Sequence, residues 1–127
     1  MKVLRLLAIA MLMGSSAFAQ TSPERELELA KAMFDAGKYA ETVSLVRKAL
    51  SITNFTDPQR VELHRIAGLA SFNLGDTSAA KESFISLLRL NPDYVLDPFV
   101  APPPAIRLFE QVRKENADEL ALVRQLL

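Results

Sequence analysis

The chain has 127 residues, half of them apolar, with 15 basic and 15 acidic side chains, one His and no Cys. That length holds one small domain. A formal net charge of zero with no basic stripe argues against nucleic acid as a partner, and the lack of Cys excludes both a disulfide framework and a thiolate metal site.

The first segment stands apart from that domain. Lys2 and Arg5 precede the apolar run Leu6 to Met13, and Gly14-Ser15-Ser16-Ala17-Phe18-Ala19 supplies a small-residue A-x-A site. This is the pattern of a bacterial-type secretory signal peptide over residues 1–19, cleaved after Ala19 and too short for a comfortable membrane span. The mature chain would then begin at Gln20 and hold 108 residues, with 13 basic against 15 acidic side chains and a net charge of −2. No Cys follows the site, so lipid attachment there is excluded. The expected location is periplasmic or secreted, with no membrane span after cleavage.

Thr21-Ser22-Pro23-Glu24 reads as a helix start: a hydroxyl cap, Pro in the first turn and a Glu that favours the dipole. The helix is predicted from Pro23 to Ala36, stopping at Gly37, with Leu27, Ala30 and Phe34 on its apolar face. A second helix, Tyr39 to Ser51, carries Tyr39, Val43, Val46 and Leu50 in one stripe, and the two form a first hairpin over residues 20–54. Thr53 to Asp57 is a polar connector whose Phe55 is expected to tuck into the joint between the hairpins. Pro58 opens a third helix to Leu74, capped by Thr56 or Asp57, and a fourth runs from Thr77 to Leu90. These form a second hairpin over residues 58–92, turning at Leu74-Gly75-Asp76 and ended by Asn91-Pro92. Residues 93–104 contain too many prolines for a helix or central strand and are predicted as an extended connector pinned by Tyr94, Leu96 and Phe99. A fifth helix over residues 105–127 carries Ile106, Phe109 and Val112, then Leu120, Val123 and Leu127.

In the second hairpin, Gly68 lies mid-helix, Gly75 in the turn, and Ala80, Phe84 and Pro92 follow at set intervals. This spacing resembles the tetratricopeptide repeat (TPR), a helix-turn-helix unit of about 34 residues. His64 and Ser71 stand where that family usually has a bulky aromatic and a Tyr. The first hairpin resembles a degenerate copy, with Gly37 in the turn, Ala30 at the small position and Tyr39 after the turn, while Thr42 and Val46 replace the family's Ala and Phe. The two turn glycines are 38 residues apart, four more than the family period, and the excess falls in the polar connector. Leu96-Asp97-Pro98, Pro102-Pro103 and Phe109 to Arg113 are similar to a trailer of secreted bacterial TPR proteins of the cell envelope. The resemblance implies an all-α fold of two TPR-like hairpins, a right-handed α-solenoid fragment, closed by a C-terminal capping helix.

Nothing in the chain assembles a catalytic set. A lone His64, no Cys and no Gly-rich phosphate loop leave few routes to nucleophilic or metal chemistry. Asp93 and Asp97 lack the Gly and bidentate Glu of a calcium loop. The expectation is a non-enzymatic protein with no cofactor and no metal. Stacked hairpins present a concave face lined by the first helix of each pair. Carried over from the family, the groove positions are Glu24, Leu27, Lys31, Phe34 and Asp35 in the first repeat and Glu62, Arg65, Leu69, Phe72 and Asn73 in the second. That mixture of charge with Leu and Phe suits a peptide. Core packing under the fifth helix is the other use for Phe34, Leu69 and Phe72. The expected role is a periplasmic adaptor for protein partners of a cell-envelope assembly, such as a secretion, motility or surface-maintenance machine. Two alternatives stand beside it. One is a small-ligand or enzyme-accessory module using the groove near Arg65 and Phe72. The other is a structural protein that self-associates through a tail stripe of Leu120, Val123 and Leu127.

Overall fold

A computed structural model describes residues 22–127. The signal-peptide segment and its cleavage site lie outside the described residues. Among the described residues the protein is all helical: α1 (Pro23–Asp35), α2 (Tyr39–Ile52), α3 (Asp57–Asn73), α4 (Thr77–Leu90), α5 (Pro103–Glu115) and α6 (Ala117–Leu126). No helix among them is long and apolar enough to cross a membrane.

Each boundary has a local cause. Ser22 caps α1 by accepting the Arg25 N–H at 3.2 Å, with Pro23 behind it. Thr56 and Gln59 form a reciprocal capping box at the start of α3, through Thr56 N–H to Gln59 Oε1 at 2.9 Å and Gln59 N–H to Thr56 Oγ1 at 3.3 Å. Asp76 caps α4 through the Ala79 N–H at 3.1 Å. α1 and α3 end in the same way. The Gly37 and Lys38 N–H groups reach the Phe34 and Met33 carbonyls, and the Gly75 and Asp76 N–H groups reach those of Phe72 and Ser71. This closing motif needs a left-handed residue, which Gly37 (φ 78°) and Gly75 (φ 80°) supply.

The chain therefore folds back after α1 and again after α3, pairing α1 with α2 and α3 with α4. α3 lies at the centre: its most extensive contact is with α4, the next with α2, and it also meets α1. Its residues Ile66 to Ser71 are buried without a break, because neighbours close on it from several sides. α3 consequently joins two apolar clusters. Leu63, Ile66 and Ala67 pack with Ala30, Val46, Ala49 and Phe55, so Phe55 sits in the joint as expected. Leu69 packs with Phe84, Leu87, Leu88, Leu96, Phe109 and Val112.

The α3–α4 approach is set by Gly68. A Cβ placed there would stand 2.4 Å from Cε1 of Phe84, so the ring lies against the α3 backbone. Phe84 in turn meets Phe109 of α5 edge-on, with centroids 5.2 Å apart, and Tyr94 also meets Phe109 edge-on at 6.2 Å. Arg113 covers Phe109 from 5.3 Å and donates to the carbonyls of Pro92 and Tyr94, which fastens the connector to α5.

Two expectations are corrected. The connector is pinned by Leu96 and Ala101, with Tyr94 half-buried, whereas Phe99 is 94 % exposed. Asp97 explains it: its carboxylate accepts the Phe99 N–H at 2.9 Å, and its carbonyl accepts those of Val100 and Ala101. The resulting tight turn buries Ala101 and aims Phe99 outward. The predicted fifth helix is also two helices. Asn116 leaves helical geometry (φ −116°, ψ 23°), and its Nδ2 donates to the Val112 carbonyl at 2.8 Å. α6 thereby turns back onto α4, where Leu120 is buried and Glu119 forms a bidentate pair with Arg89 at 3.0 Å.

Gly68→Ala is expected to lower the unfolding free energy by about 1–3 kcal/mol through overpacking, as read by urea denaturation. Because the clash is with Phe84, Gly68→Ala and Phe84→Leu combined should cost less than the sum of the two single changes. Strict additivity would mean that the ring does not set the helix spacing.

Candidate functional site

The α1 and α3 faces, with the connector, enclose a cleft of about 330 Å³ lined by Lys31, Phe34, Asp35, Arg65, Ile66 and Val100. α1 contributes the first three from its last two turns. α3 contributes Arg65 and Ile66 from its middle, and the Asp97 turn brings Val100 across as the third wall.

Arg65 is the best-defined charge in the cleft. Its guanidinium donates to both carboxylate oxygens of Glu62, one turn earlier, at 2.9 and 2.8 Å. The fork geometry makes this a strong pair for a half-buried site. The Glu62 hydrogen bond raises the Arg65 pKa above its ordinary value, and the fields of Glu62, Tyr94 and Asp35 add to it against the cost of burial. Reciprocally, the hydrogen bond from Arg65 holds the Glu62 carboxyl below the usual range, with smaller help from the charges of Arg65 and Lys31. Arg65 is thus permanently charged and held at the cleft wall. Among the described residues the ion-pair partner of Lys31 is Glu28, loose and exposed at 3.9 Å, which lets its ammonium meet a ligand at small cost.

The groove positions expected from the sequence do not all meet. Lys31, Phe34, Asp35 and Arg65 come together in the cleft, and Glu62 joins them through its ion pair. Leu69 is 2 % exposed and belongs to the core, so it is not available to a ligand. Leu27 packs on the first cluster and Phe72 on the second, both half-buried. Glu24 and Asn73 are exposed outside the cleft lining. Sequence reasoning missed Val100 as a cleft residue, while Ile66, which borders the cleft, is 1 % exposed and belongs to the core as Leu69 does. Ile66 reads only as an apolar helix position, and no periodicity places a connector residue such as Val100.

The tail stripe is likewise divided. Leu120 is buried among α4 and α5 residues, Val123 is half-buried, and Leu127 is 76 % exposed beside an exposed Leu126.

His64 lies away from this cleft, in a smaller hollow of about 190 Å³ shared with α2 and α4 residues such as Val46, Arg47 and Glu82. Burial lowers its pKa, and the charge of Arg60 lowers it further. Among the described residues no three His, Cys, Asp or Glu side chains gather as metal ligands would. Comparison with known proteins finds no matching family model, no matching curated protein and no matching solved structure.

Two acid-side effects follow, in different windows. Burial favours neutral His64 in the folded state, so its contribution is complete above the ordinary value of 6.5 and is lost as pH falls toward the lowered folded value. Glu62 contributes above the ordinary 4.5, and that part is lost as pH falls through its lowered folded value. In denaturation curves taken from about pH 8 downward, His64→Gln should flatten the first decline and Glu62→Gln the second. A Glu62→Gln profile that follows the parent below 4.5 would contradict the role given to the Arg65 pair.

Proposed function

We propose that the chain is an exported, non-enzymatic adaptor of the TPR kind, which docks a short segment of a protein partner in the bacterial cell envelope on its α1 and α3 face. The observation that carries this reading is convergence. Lys31, Phe34, Asp35 and Arg65 belong to one groove by repeat positions that correspond at 38 residues between the two hairpins, and they line one cleft. The accessible lining combines the Phe34 ring, the Val100 side chain and charges of both signs, which suits one anchoring side chain of a peptide with polar contacts on either side. The signal-peptide pattern and the repeat resemblance supply the envelope and the adaptor class.

A second reading rests on the volume of the same cleft. At about 330 Å³ it reaches the lower end of the range for small-molecule sites, about 300–1,000 Å³. One of its walls is a single connector residue and much of its lining is charged, so it encloses a small ligand poorly, and the adaptor is the better fit.

A photo-crosslinking residue placed at Glu28, on the exposed rim beside Lys31, is expected to capture one discrete envelope protein in intact cells. Lys31→Glu or Arg65→Gln should reduce that product about tenfold or more while helicity by circular dichroism is unchanged. Equal capture by both variants would sink the adaptor reading. Native mass spectrometry of the purified chain, showing a retained small molecule that Arg65→Gln releases, would replace it with the ligand reading.

A further inference from the structure

The C-terminal segment fits two conformations, of which the structure holds one. Ile106, Phe109, Val112, Leu120, Val123 and Leu127 recur at the three-and-four spacing of a single helix. In a continuous helix they would share one face, with Asn116 among them, and Asn is tolerated in a helix interior at small cost. Instead α5 and α6 break at Asn116 (φ −116°, ψ 23°), whose Nδ2 donates to the Val112 carbonyl at 2.8 Å. The break has a backbone cost. α6 begins without a side-chain cap, and the helical ladder lapses between the Asn116 N–H, bonded to Val112 at 3.2 Å, and the Leu120 N–H, bonded to Asn116 at 2.9 Å. The opening N–H groups of α6 therefore lack partners that a continuous helix would give them.

What holds the bend is slight. Leu120 is the one fully buried residue of α6, Glu119 and Val123 are half-buried, and the rest of the helix is exposed. Two ion pairs tie α6 to its surroundings, Glu119 with Arg89 of α4 at 3.0 Å and Arg124 with Asp93 of the connector at 2.9 Å. Both lie at the surface, where such pairs are weak and screened by salt. Asp118 and Glu119 at the start of α6, and Arg113 and Lys114 at the end of α5, also favour two separate helix dipoles, a preference that salt weakens in the same way. α5 is anchored quite differently. Ala105, Phe109 and Val112 are buried, and Arg113 donates to the connector carbonyls of Pro92 and Tyr94. Of one apolar pattern, the first half belongs to the core and the second leans on it through a single leucine and two charge pairs.

We infer that α6 is a strap hinged at Asn116, which exchanges between its docked place on α4 and a straight continuation of α5, one helix from Pro103 to Leu126. Docking gains the burial of Leu120 and the two surface pairs; straightening restores the backbone ladder across the hinge. Undocking uncovers the part of the α4 and α5 cluster that Leu120 closes and releases Arg89 and Asp93 from their partners. Ionic strength sets the balance, since screening weakens the docked state. The inference is independent of the adaptor reading, because no residue lining the α1 and α3 cleft takes part in it.

Because the chain has no Cys, spin labels can be placed at two chosen positions, Arg107→Cys on α5 and Gln125→Cys on α6, both exposed. Double electron–electron resonance on the purified chain then reads their separation. The rise of a continuous helix between them gives about 27 Å, and the bend gives a shorter distance. Two populations are expected, the shorter dominating at low salt. Raising NaCl from about 0.05 to 1 M should increase the ratio of straight to docked at least about twofold, and Glu119→Gln should shift it in the same direction. Leu120→Ala, which removes the buried anchor, should raise it at least about tenfold. Asn116→Ala should raise it by deleting the side-chain bond to Val112, and helicity by circular dichroism should be retained or increased. A single separation that neither salt nor these substitutions move overturns the proposal. So does a broad spread of distances with loss of helicity, which is the mark of a fraying end and not of a hinge.

Discussion

The packing of the Phe84 ring on the α3 backbone at Gly68 is the contact on which the remaining architecture depends. With no Cys in the chain, no crosslink can hold the helices together, so stability rests on packing. Absence of a side chain at position 68 lets the ring reach within van der Waals range of the helix. Full burial of such a ring is worth about 1.5–3 kcal/mol, and its edge-on contact with Phe109 adds about 0.5–1.5 kcal/mol. One small residue thus sets the distance of α4 from α3, and Phe84 transmits that distance to α5. The connector follows, because Tyr94 and Arg113 both address the same Phe109 ring.

A helix enclosed like α3 has little surface left for function, and that scarcity determines where the cleft lies. Between Leu63 and Ser71 only His64 and Arg65 escape full burial. They leave α3 in different directions: His64 toward the hollow with α2 and α4, Arg65 toward α1 and the connector. Burial separates their chemistry as well. His64 has no carboxylate partner and is driven toward its neutral form. Arg65 keeps its charge because Glu62 occupies the turn before it. A lone cation at such a place would carry an uncompensated desolvation cost. Paired as it is, Arg65 holds a fixed direction and faces Lys31 and Asp35 of α1 as a charged wall of the cleft.

Much of this was legible in the sequence because it is local. Hydroxyl caps, Pro at helix starts and Gly after helix ends set the bounds of the first four helices to within a residue or two. The small residues Ala30 and Gly68 stood where backbones approach, and both are buried. The departures come from contacts distant in sequence or from single side chains that outweigh a periodic pattern. Asn116 is tolerable in a helix, so the apolar spacing from Ile106 to Leu127 read as one element. Its side-chain bond to Val112, together with the space for Leu120 against α4, favours a break. Leu69 illustrates a different limit. The repeat resemblance implies a groove position for it, but α5 and the connector cover that part of the face, and sequence spacing does not say how far a later segment reaches across an earlier helix.

Phe99 shows the same limit in its most informative form. Hydropathy alone would bury it and leave Ala101 outside, forgoing nothing. The turn does the reverse, because Asp97 takes three successive N–H groups and so decides which side chain points inward. Ala101 packs beneath the turn in one cluster with Leu96 and α5 residues. Leaving Phe99 in water forgoes about 1.5–3 kcal/mol of possible burial. Single exposed apolar residues are common and carry no meaning by themselves. The connection to the cleft is what gives this one significance: the turn that exposes Phe99 also delivers Val100 as a cleft wall. The outward Phe99 and the placing of Val100, itself 60 % exposed at the cleft edge, are therefore two consequences of one set of hydrogen bonds.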